Sequence, residues 1–198
     1  MTYRLHLPLI SALALITAAC GREPEAAAPT DGASMDARYP DALATGMGDA
    51  SGDAAIAGSK TGTFLADVMK GNNGEIRLGQ LAAQKGSTGA VRNYGQMLAK
   101  DHGKSGMEFS AVASTLGMSP TKETTPEADA TYARLQSLSG TAFDKEFARV
   151  AVAEHRKHIT MFEGQAASGD SSEVTALAKK TLPTLKRHLE MAEKLVSD

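Results

Sequence analysis

Residues 91–116 read VRNYGQMLAKDHGKSGMEFSAVASTL. Val91, Tyr94, Leu98, His102, Ser105, Phe109, Val112 and Leu116 follow one another at steps of three and four. That is the period of one face of a helix packed against neighbours. Gly117 and Pro120 stop it. Upstream, Phe64, Val68, Gly71, Glu75, Leu78 and Ala82 share a similar face. Gly86 stands where a helix C′ residue belongs, and Ser87 where the next helix would be capped. Downstream, Thr125 before Pro126 opens a short helix ending near Gly140. Thr141-x-x-Asp144 has the form of a capping box, with Asp144 as a helix cap, and opens a third long stripe. That stripe runs from Phe143 through Phe147, Val150, Ala151, Glu154, His155, His158 and Met161 to Phe162, before Gly169. Asp170-x-x-Glu173 repeats the pattern ahead of Val174, Leu177, Thr181, Leu185, His188, Ala192 and Leu195. The expectation over residues 60–198 is an all-α four-helix bundle. Two antiparallel hairpins, A–B and C–D, are joined by a longer connection, residues 117–140, that carries a short helix. An up-down-up-down order would place both hairpin turns at one end.

Composition narrows the function classes. The 198-residue chain is only 5% aromatic and has no Trp, which suits Ala- and Leu-rich helices better than a sandwich or barrel. A formal charge of −2 argues against a nucleic-acid binder. The lone cysteine rules out an intrachain disulfide and any Cys-rich zinc module.

The first nineteen residues read as a signal peptide: Arg4 in a short basic head, then an apolar stretch from Leu7 to Ala19 too short to span a bilayer. Thr17-Ala18-Ala19-Cys20 resembles a bacterial lipoprotein signal, in which the cysteine becomes the lipidated first residue. Thr17 stands where such signals prefer Leu. Gly21, rather than Asp, after Cys20 implies by the same resemblance an outer-membrane destination facing the periplasm. The chain is thus expected to be exported and to meet the membrane through lipidated Cys20. Residues 20–59 read as a disordered tether, because 20 of the 39 residues after Cys20 are Ala, Gly or Pro and no periodicity runs through them.

Polar residues interrupt each apolar seam. Glu75, His102 and His188 lie on the core-facing stripes of their helices, and His155 on the flank of its own. Counted from the turns at 1.5 Å per residue, they lie roughly 17, 23, 28 and 22 Å along their helices. One polar residue per helix therefore falls in a shared mid-bundle slab. Unpaired charge there costs several kcal/mol, so the slab is either an internal hydrogen-bonded network or a metal site. Imidazole and carboxylate are ligands for Zn, Cu, Fe or Ni, and the expected cofactor is one divalent metal or copper ion of open identity. Asp101 is a candidate accessory residue behind His102. His158 is an alternative inward ligand to His155. Met161 and Met191 face the same interior; Met favours Cu(I) but more often fills core gaps. Pro183 is expected to kink the last helix one turn before His188.

Several segments together resemble the bacterial envelope family called domain of unknown function 4142. They are Glu75-x-x-Leu78-Gly79-x-Leu81-Ala82, Val91-Arg92-Asn93-Tyr94, Met97-x-x-x-Asp101-His102, Phe143-Asp144, Glu154-His155, Phe162-Glu163 and Leu182-Pro183-x-Leu185-x-x-His188-Leu189. The resemblance implies a ferritin-like helical fold in the cell envelope and no established activity. It carries the family's motif positions onto Glu75, His102, His155 and His188, and so favours His155 over His158. No Glu-x-x-His motif precedes His102, His155 or His188, so the resemblance does not extend to di-iron ferroxidase chemistry. No GxSxG element, P-loop, dinucleotide fingerprint or HExxH occurs. Two readings remain from the sequence: a metal buffer, sensor or carrier, or a non-catalytic structural or interaction module whose polar layer only sets helix packing.

Overall fold

The computed structural model describes Ile56 and residues 58–197. The signal peptide, Cys20 and almost all of the tether lie outside the described residues. Among those described, five helices and no strand occur: α1 (Lys60–Lys85), α2 (Gly89–Thr115), α3 (Pro126–Gln136), α4 (Gly140–Ser168) and α5 (Ser172–Ser197). No described helix is long and apolar enough to cross a membrane.

The helix starts follow local capping chemistry. Ser59 accepts a hydrogen bond from the Gly62 amide, and Thr125 accepts one from Ala128 ahead of Pro126. Three caps differ from expectation: at the start of α5 it is Ser171, not Asp170, that accepts from the Val174 amide. Thr88, not Ser87, caps α2 by accepting from the Val91 amide. Asp144 caps no start of its own helix; α4 begins at Ser139–Gly140 without a side-chain cap. The Asp144 carboxylate instead accepts from the Ser87 amide (2.9 Å), the Ser87 hydroxyl (2.6 Å) and the Thr88 amide (3.0 Å). It satisfies the orphan amides of α2 from another hairpin.

That contact corrects the expected order. The α1–α2 turn meets the beginning of α4, whereas Thr61 at the beginning of α1 donates to Asp170 in the α4–α5 turn. The two hairpin turns therefore lie at opposite ends. The connection runs along α1: Asn73 donates to the Thr121 and Glu123 carbonyls, Arg77 pairs with Asp129, and Lys85 reaches the Gln136 carbonyl. It carries the chain from one end of the hairpins to the other, which an up-down-up-down order would not need.

Two apolar clusters fill the interior. One joins Leu78, Tyr94, Leu98, Leu135, Phe143, Phe147 and Ala192 around the α1–α2 turn. The other joins Phe64, Val68, Phe109, Phe162, Val174 and Leu185 at the opposite end. The polar layer sits between them. The α1–α2 hairpin closes on two glycines facing each other. A Cβ at Gly95 would stand 2.6 Å from the Gly79 carbonyl oxygen and 2.7 Å from the Ala83 nitrogen. Both are backbone atoms, so Gly95→Ala must force the helices apart. We expect a loss of about 3 kcal/mol, at the upper end of ordinary overpacking, read as a lowered urea midpoint. An unchanged midpoint would show that the two backbones separate there at no cost.

Candidate metal centre

His102 on α2, His155 on α4 and His188 on α5 converge between the two apolar clusters. Each is 4% exposed or less, and their nearest ring nitrogens all lie within 4.8 Å of one another. The ring centroids form a near-equilateral triangle with sides of 5.7, 5.4 and 5.3 Å. The convergence does not depend on which end the turns occupy. Each histidine lies near the middle of a helix of 26 to 29 residues, and middles coincide in height whichever way the helices run.

The hydrogen bonds determine which nitrogen of each ring is free. His102 Nδ1 lies 2.8 Å from Asn72 Oδ1, and the Asn72 amide group donates onward to Ser105. His155 Nδ1 lies 2.8 Å from the Ala151 carbonyl. His188 Nε2 lies 3.0 Å from Asp101 Oδ2, which Arg187 also holds at 2.8 Å. All three partners are acceptors, so each neutral ring spends its single N–H there. The nitrogens left with a lone pair are Nε2 of His102, Nε2 of His155 and Nδ1 of His188, on three rings that offer ligand atoms within 4.8 Å of one another. The His155 Nε2 to His188 Nδ1 separation of 3.4 Å is consequently no hydrogen bond, because neither atom carries a proton. His102 Nε2 is fully buried without any partner.

Electrostatics keep the rings neutral. Burial depresses His102 well below the usual imidazole range, with His155 and His188 adding to the effect. Burial likewise takes His155 down to about 3, against the pull of the Ala151 carbonyl. His188 is lowered by burial despite Asp101. Neutral imidazoles whose outer N–H groups are tied to a carboxylate, a carbonyl and an amide oxygen have the arrangement of metal-ligating histidines. Around one ion at about 2.0–2.1 Å, tetrahedral nitrogens stand about 3.3 Å apart, as the His155–His188 pair already does. The donor set therefore fits a divalent transition metal or copper.

Glu75 is not among the converging groups. Asn72, one turn earlier on the same helix, takes the place next to His102, and the sequence reading missed it. A second polar position on the inward face of α1 was the only signal for it. Glu75 is buried but faces a cavity between α1, α3 and α4. Burial, with Glu154 beside it, pushes its carboxyl up to about 8. His158 lines the same cavity, and burial takes it down to about 4. Asp101 does stand behind the centre, though behind His188 rather than behind its chain neighbour. Met161 lines a void that His102 also lines, whereas Met191 packs in the other apolar cluster.

A family model described as "Domain of unknown function (DUF4142)" matches residues 46–195. A DUF305 fragment from Deinococcus radiodurans, known from its crystal structure, is similar in fold. Its TM-score is 0.61 at 16% identity, covering 68% of this chain and 93% of that one. No curated protein matches the chain.

Proposed function

We propose, from the premise that this chain belongs to the DUF4142 family, that it is a metal-binding protein of the cell envelope. His102, His155 and His188 would hold one divalent transition-metal or copper ion, as a buffer, sensor or carrier. The observation that carries this reading is the set of three buried imidazoles with ligand atoms within 4.8 Å of one another, each with its other ring nitrogen held by an acceptor. A layer serving only helix packing would turn some of those protons inward, toward the lone pairs. Asp101, Asn72 and the Ala151 carbonyl would orient the rings and raise their basicity. The two hairpins and their single long connection support a ferritin-like four-helix bundle as the frame.

The test is titration of the chain carrying Cys20→Ser, which removes its only thiol. With Co(II) or Zn(II) we expect one ion per chain and a rise in melting temperature reversed by chelator. His102→Ala and His188→Ala should each weaken binding on the order of 100-fold or more, and Asp101→Asn roughly 10- to 100-fold. Equal binding in all variants, or none in the parent, would leave the packing layer as the better account.

Export, with lipid attachment at Cys20 and an outer-membrane position facing the periplasm, completes the proposal. It is supported by residues 1–21, with Gly21 after Cys20 favouring the outer membrane. Cells making Cys20→Ser should release the protein from the membrane fraction into the soluble periplasm; retention in the membrane would refute the anchor.

A further inference from the structure

We propose that the metal ion reaches the three-histidine centre through the acidic cavity between α1, α3 and α4, passing inward between His158 and Met161. The inference rests on the metal-binding reading above and adds a transient cation site to it.

The cavity measures about 270 Å³, and its wall brings together Asp67, Glu75, Glu127 and Glu154 against the single Lys157. Glu75 is the innermost acid. It is 4% exposed, and its shift arises from burial and Glu154 with no hydrogen bond contributing. A buried carboxyl without a donor is costly, and a cation in the cavity would offset that cost. A smaller void of about 10 Å³, room for about one water, adjoins the cavity and reaches His102 and Asn72. The two spaces share Gly71, His158 and Met161. Those residues form the partition, and two of them carry metal-ligating atoms. The partition is thin because residue 71 has no side chain: a Cβ there would lie 3.3 Å from His158 Nε2. The inner face of the partition is close to the centre, since the His158 ring stands 6.5 Å from that of His155.

The opposite approach is unfavourable to a cation. The cleft between α2 and α5 that borders Asp101 carries Lys104, Lys180 and Arg187 against Asp101 and Glu108. Asp101 itself is already engaged by Arg187 and His188. An acidic wall on one side and a basic one on the other direct cations to α1, α3 and α4.

Stopped-flow uptake of Co(II) by the full chain carrying Cys20→Ser tests this, with equilibrium affinity measured separately by chelator competition. At about pH 8.5, where the Glu75 carboxyl is ionised, Glu75→Gln and His158→Leu should each slow association roughly tenfold, the low end of what local charge and focusing supply. Dissociation should slow by a similar factor, leaving Kd within about threefold, because a residue on the path lowers the barrier both ways. Lys180→Glu, on the other cleft, should leave the rates unchanged. Association in the parent should fall as salt is raised, and Glu154→Gln should flatten that dependence. If the parent binds Co(II) and both path variants load at its rate, the route is overturned while the centre stands. If the parent does not bind Co(II), the centre and the route fall together.

Discussion

Stripped of metal, the domain should lose most of its stability between pH 6.5 and 5. His102, His155, His158 and His188 are all depressed by burial, His155 to about 3 and His158 to about 4. Between those values and 6.5 the unfolded chain binds protons that the folded one refuses. Stability from these groups is therefore complete above pH 6.5 and lost as the pH falls. Each such group contributes a slope of about 1.4 kcal/mol per pH unit. Three of them, His102, His155 and His158, acting over the upper half of the window remove roughly 5 kcal/mol, comparable with the whole stability of an ordinary domain. Glu75 opposes one of them, since its folded value lies above its unfolded one. The measurement is urea unfolding of chelator-treated protein at half-unit steps from pH 8 to 4.5. His155→Gln should reduce the slope by about one proton's worth. A flat profile between pH 7 and 5 would mean that the imidazoles are wetter than their burial implies.

Glu75→Gln should produce the opposite dependence. Burial and Glu154 raise the Glu75 carboxyl from 4.5 to about 8. Its stabilising contribution is present below pH 4.5 and disappears as the pH rises through 8, because the folded protein must then hold a buried charge or give up its packing. Glutamine keeps the shape and cannot ionise. The variant should match the parent near pH 5 and exceed it by roughly 4 kcal/mol at pH 9, where the shift is fully expressed. Unfolding free energies at those two values decide the matter. A gain of the same size at both would point to a packing effect, and a loss at pH 9 would show that the ionised carboxylate has a partner in the fold.

The helices were legible because their evidence is local. The steps from Val91 to Leu116, the Thr125–Pro126 start and the mid-helix histidines all depend on residues within a turn or two of one another. The same reading erred where the partner is remote. Asp144 is close in sequence to a helix start, and local grammar assigns it there, yet its carboxylate serves amides 56 and 57 residues away. Gly86 and Gly169 do end their helices, but in extended rather than left-handed backbone, with φ of −52° and −67°; among the described residues the left-handed glycines are Gly117 and Gly140. The shared height of the histidines survived an incorrect turn placement because the midpoint of a helix does not depend on its direction.

The residues alone specified that four amphipathic helices would each carry a polar group into the interior, since periodicity dictates which face is buried. They could not specify which nitrogen of each imidazole would be left bare, that Asn72 rather than Glu75 would meet His102, or that Asp101 would reach His188. Those outcomes follow from the rotation of each helix about its axis and the torsion of each ring. Both are settled by packing between segments as much as 87 residues apart, a distance over which no local pattern reports.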